Sequence, residues 1–169
     1  MADQTLNPTA NQTPDPGQGG LAVTGAINTG HGSTTAARAG VGSQTKTCRW
    51  SSFESPTVQP TKLTLKVDWT QNGSLSDGGI STANLFQIEY SLNGGSSWTG
   101  LHSAADIESS SSGTSEVVLS PTQNISQVQV RDTLNAVGAV GESASVTASV
   151  SGIRIEVEFG ANKIILSMM

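Results

Sequence analysis

The sequence predicts an all-β protein: an antiparallel β-sandwich, jelly-roll or Ig-like, behind a long extended N-terminal arm. Three observations carry this expectation. Apolar and polar residues alternate with period 2 through much of residues 62–160, the pattern of strands with one face in a core and one face wet. No long stretch carries the i, i+3, i+4 stripe of a helix. Residues 1–45 are rich in Gly, Pro and Thr and almost empty of large apolar side chains. Internal repeats, which a propeller or β-helix would need, are absent.

The arm comes first. Besides Val41, its apolar and rigid residues include Leu6, Pro8, Pro14, Pro16, Leu21, Val23 and Ile27. So little greasy surface does not offset an ordering cost of about 1–2 kcal/mol per residue. Residues 1–45 are therefore expected to take their shape from neighbouring molecules, and these seven residues are the candidate partner-binding set. The sandwich is expected over 46–160, with 161–169 as a tail or last strand. In "CRWSSF", Cys48, Trp50 and Phe53 read as core positions of an early strand. In "KLTLKVDWT", Leu63, Leu65, Val67 and Trp69 face one way; in "LFQIEYSL", so do Phe86, Ile88, Tyr90 and Leu92. "EVVLS" is a shorter candidate, and the serine run before it, "ESSSSGTS", reads as a loop. "ISQVQVRD" turns Val128 and Val130 inward. "SASVTASV" and "GIRIEVEFG" read as a closing hairpin with a loop at Ser151-Gly152, because that turn pairs Val150 with Ile153 on one face.

The most distinctive stretch is "SLNGGSSW", residues 91–98. A three-residue loop at Asn93-Gly94-Gly95 would pair Tyr90 with Trp98 and bury the indole beside Ile88. The spacing of Ser91, Asn93, Gly95 and Trp98 resembles the Asp-box, Ser-x-Asp-x-Gly-x-x-Trp, with Asn in the Asp position. That motif recurs in sialidase propeller blades and occurs singly in β-sandwich domains. The resemblance implies a structural turn built on Ser91, Asn93, Gly94, Gly95 and Trp98, and no catalytic residue.

Composition narrows the chemistry. Charged residues are 12% of the chain and the net charge is -5. The eight basic residues are scattered, so no phosphate-tracking surface and no nucleic-acid partner are expected. No apolar run approaches membrane-spanning length, and the first twenty residues lack the features of a Sec-type signal. Synthesis in a cytoplasm is expected. His31 and His102 have no close ligand partners, Cys48 suits a core better than a nucleophile's setting, and Asp77 belongs with Gly78 and Gly79 in a turn. Asp106 and Glu108 merely flank the serine run. No enzyme, metal or cofactor is expected.

The arm followed by a sandwich carrying "FQIEYSLNGGSSW" is similar to auxiliary virion proteins of tailed bacteriophages: capsid decoration or cement proteins and tail or neck components. The resemblance implies a non-enzymatic, homo-oligomeric subunit. It would be assembled in a bacterial cytoplasm, housed in a virion, and held to other virion proteins and copies of itself. A glycan- or host-surface-binding module is the alternative.

Overall fold

Where the period-2 pattern is strongest, backbone pairing follows it. The computed structural model describes residues 3–12, 34–39, 42–76, 84–105, 107, 109–138 and 143–160. Within them lie strands β1 (Gln4–Leu6), β2 (Pro8–Gln12), β3 (Thr34–Ala39), β4 (Gly42–Phe53), β5 (Lys62–Ser76), β6 (Asn84–Ser91), β7 (Thr99–Ala104), β8 (Ser111–Leu119), β9 (Gln129–Gly138) and β10 (Ser143–Glu158). The only helical element among the described residues is a 3-10 turn over Ile125–Gln127, capped by Asn124. The protein is all-β, with two five-stranded sheets whose registered pairs are all antiparallel. One sheet runs β1-β10-β5-β8, with β3 also on β10; the other runs β2-β4-β9-β6-β7.

The core lies between the sheets in a sandwich-like arrangement. The first sheet contributes Leu63, Leu65 and Val67 from β5, and Val146, Val150, Ile153, Ile155 and Val157 from β10. The second contributes Cys48, Trp50 and Phe53 from β4, Phe86 and Ile88 from β6, and Val130 and Leu134 from β9, with Val128 from the end of the preceding 3-10 turn. Trp50 and Phe53 are three apart yet both buried. Ser52 between them has φ 56°, a bulge-like kink that resets the parity of the strand.

Four expectations are corrected. First, Ser151-Gly152 is not a hairpin loop. β10 runs unbroken for 16 residues and pairs with β5 throughout, with a register shift between Val150 and Gly152. A bulge and a two-residue hairpin invert side-chain parity alike, so both put Val150 and Ile153 in the core. Gly152 suits the bulge because a Cβ there would lie 2.5 Å from Asp68 Oδ2. Second, the serine run is not a loop throughout: Ser111–Ser115 belongs to β8, an edge strand. Third, Trp98 does not pair with Tyr90, as described below. Fourth, the described part of the expected arm, residues 3–12, 34–39 and 42–45, is not outside the two sheets. β1 pairs with β10, β2 pairs with β4, and β3 pairs with β10. Leu6 is 0% exposed, and Pro8 is buried opposite Phe53. Backbone pairing and one buried leucine order a polar segment that has no hydrophobic period of its own. Of the remaining candidate arm residues, Pro14, Pro16, Leu21, Val23 and Ile27 lie outside the described residues, as do the tail 161–169, His31, Asp77, Asp106 and Glu108.

Candidate functional site

The N-terminal segment is docked at the edges of both sheets. β1 covers Ile155–Val157 of β10; after one residue, Asn7, the chain crosses to the other sheet and β2 covers Arg49–Phe53 of β4. Side chains and backbone reinforce the crossing. The Asn7 backbone N–H donates to Glu54 Oε2 at 2.9 Å, and Glu54 N–H donates to the Asn7 carbonyl at 3.0 Å. Gln4 Oε1 accepts from Thr57 N–H at 3.1 Å, and Asp3 Oδ2 accepts from Phe159 N–H at 2.7 Å.

The loop that closes the β6–β7 hairpin is held by side chains. Tyr90 pairs with Thr99, and β6 ends at Ser91, so residues 92–98 are loop. Ser91 Oγ accepts from Gly95 N–H at 2.9 Å, and Asn93 Oδ1 accepts from Ser97 N–H at 2.9 Å. Ser91 Oγ also donates to Asn93 Oδ1 at 2.9 Å. Gly94 and Gly95 have φ 71° and 90°, the left-handed region where a Cβ is penalised. Gly94 N–H donates to the Gln127 carbonyl at 2.9 Å, tying the loop to the 3-10 turn. Ser91, Asn93, Gly94 and Gly95 thus come together as one turn. Trp98 leaves on the opposite parity from the one expected: it is half-buried on the outer face of the second sheet.

That face carries a cross-strand row of Arg49 on β4, Arg131 on β9 and Glu89 on β6. Two guanidinium groups side by side repel. Glu89 offsets one, accepting from Arg131 Nε at 2.6 Å. The indole of Trp98 offsets both, with the Arg131 and Arg49 guanidinium carbons 4.3 and 5.2 Å from its ring centre. No sequence pattern marks this cluster, because its members come from three strands and a loop. Each such contact contributes about 0.5–1 kcal/mol at an exposed site. Trp98→Ala is therefore expected to cost about 1 kcal/mol in urea unfolding; a loss of about 3 kcal/mol or more would put the indole in the core after all.

A second aromatic group fills the side of the molecule between edge strands β7 and β8. The ring centres of Trp69 and His102 are 3.9 Å apart, and Trp69 Nε1 donates to Ser115 Oγ at 3.0 Å. Phe86 packs edge-on against Trp69 at 6.4 Å, and His102 Nε2 lies 3.1 Å from Gln71 Oε1. Nearby, a shallow pocket of about 350 Å³ is lined by uncharged polar residues: Thr70, Gln71, Asn72, Ser110, Ser111, Ser112 and Thr147. Burial pushes His102 below the ordinary histidine value of 6.5. Protons then bind the unfolded chain first, so this contribution to stability is complete above that value and is lost as pH falls through it. Thermal melts are expected to show declining stability from about pH 7.5 to about pH 5.5, with a shallower slope in His102→Gln; equal slopes in the two proteins would contradict this.

The outer face of the first sheet is a lattice of opposite charges. Lys66 reaches Glu156 at 3.0 Å and Glu116 at 3.4 Å, Lys62 reaches Glu158 at 2.9 Å, and Arg154 bonds both Asp68 and Glu156. Burial works to raise the Asp68 carboxyl, but hydrogen bonds from Thr114 and Arg154 outweigh it and hold it below its ordinary value. The Lys66 hydrogen bond, with help from Arg154, does the same for Glu156. Partly exposed pairs of this kind add little to the stability of the fold.

No protein-family model matches this chain, and no curated protein does. Its chemistry is therefore read from its own residues. Cys48 is buried, and its backbone N–H donates to Oδ1 of Asp132 at 3.1 Å. Asp132 is 0% exposed, a buried carboxylate that the sequence pattern did not single out. Among the described residues, no three of His, Cys, Asp and Glu cluster as metal ligands, and no helix is long and apolar enough to cross a membrane.

Proposed function

We propose that this protein is a non-enzymatic structural subunit of a phage-like virion, a capsid decoration, cement, tail or neck component. One observation carries the reading: a terminal strand pair completes the edges of both sheets at once, with most of its hydrogen bonds to backbone. Sheets finished by added strands are suited to assembly, because backbone pairing supplies affinity without requiring a particular side chain. Charge on one outer face is already paired within the face, which keeps such a part soluble without a strong field.

Light scattering on the purified protein, from dilute to concentrated solution, is expected to give an oligomer of copies; a monomer at every concentration would overturn the reading. Labelling of tailed-phage particles with an antibody to the chain separates a virion subunit from other assembling proteins.

The outward position of Trp98 favours a second reading, a glycan- or host-surface-binding module. An aromatic ring beside the Arg49 guanidinium suits an acidic sugar. Tryptophan fluorescence titrated with neutral and acidic oligosaccharides tests it; a signal lost in Trp98→Ala supports binding there, and a flat titration across the panel removes it.

A further inference from the structure

We propose that β1 and β2 form a docking strand exchanged between copies of this chain, residues 3–12 of one copy completing the sheet edges of a second. The inference rests on the assembly reading above. It names the partner, a second copy, and the surface, the groove between the ends of β10 and β4.

Three observations support it. The groove needs an occupant: withdrawing residues 3–12 would strip partners from the backbone N–H groups of Glu54, Thr57 and Phe159 and uncover the slot that holds Leu6 at 0% exposure. Wetting the apolar slot that Leu6 fills is costly, so the groove is filled in whichever copy supplies the strand. The segment itself, "DQTLNPTANQ", has a single large apolar side chain, so its release exposes little that would drive indiscriminate aggregation. Lastly, 21 residues separate Gln12 from Thr34. A chain of that length spans at most ~70 Å, more than the ~40 Å across a domain of this size.

Every contact of β1 and β2 with β10 and β4 is the same whether made within a chain or between chains. Concentration then decides. The intrachain form is favoured in dilute solution, where the tether sets an effective concentration near millimolar. Packing of copies in a particle brings competing grooves to similar or higher local concentration, and exchange then links neighbours without any new interface.

The test uses the full-length chain. Ala10 and Ser51 are small, partly exposed and directly opposite across β2 and β4. Ala10→Cys and Ser51→Cys are placed on separate chains, mixed, refolded together and mildly oxidised. Exchange predicts a covalent heterodimer that neither variant forms alone and that grows with protein concentration. Thr5→Cys with Glu156→Cys, opposed across β1 and β10, repeats the test should the first pair fold poorly. Oligomers without the heterodimer, together with a double variant that oxidises only within its own chain, would overturn exchange and leave the assembly reading standing. A monomer at every concentration would overturn both.

Discussion

Trp50→Ala is expected to cost about 3–5 kcal/mol, the largest loss from any single truncation in this chain. Trp50 is the bulkiest fully buried side chain, at 0% exposure. It sits on β4 opposite Val130 of β9 on one side and Asn11 of β2 on the other. Truncation therefore opens a cavity where three strands of one sheet meet. Close packing lets such a site collapse only partly, so the cavity adds to the lost transfer energy. Urea unfolding of wild type, Trp50→Phe and Trp50→Ala is expected to rank in that order. A loss under about 1 kcal/mol for the alanine variant would contradict the placement of the ring.

Leu6→Ala is expected to cost about 2–5 kcal/mol, the range for a fully buried leucine. This is a large effect for a residue in a segment with no other large apolar side chain. An arm held outside the fold would lose less than about 0.5 kcal/mol on the same change. Equilibrium unfolding at low protein concentration, where copies do not meet, separates the two outcomes.

These two residues also mark how far the sequence could be read. Trp50, with Cys48 and Phe53, was legible as core because apolar residues stood out in a polar setting, and burial bears this out. The alternation in β5, β6, β9 and β10 was legible for the same reason. Leu6 was not, because a three-residue strand has too few positions to show a period. β1 and β2 are specified by the edges that receive them, and that information lies far along the chain in β4 and β10. The serines of β8 were misread on similar grounds: an edge strand with one partner tolerates polar side chains throughout. Ser151-Gly152 failed differently. The parity change was read correctly, but its cause, bulge or turn, depends on whether the facing strand is long enough. β5 is, at 15 residues.

Of the candidate turn, Ser91, Asn93, Gly94 and Gly95 were legible because their hydrogen bonds are local. The place of Trp98 was not legible, because burial of an indole favours the shorter loop and the opposite face. A seven-residue loop with its own side-chain bonds sets the register instead, and Arg49 and Arg131 give the ring a home outside.

The contact between Asp3 and Phe159 has a mechanical consequence. Both described ends of the polypeptide emerge at one pole, on neighbouring antiparallel strands. Tension applied to those ends would peel β1 from β10 one bond at a time, as a zipper opens, whereas the long β5–β10 ladder would bear no load until that peeling was complete.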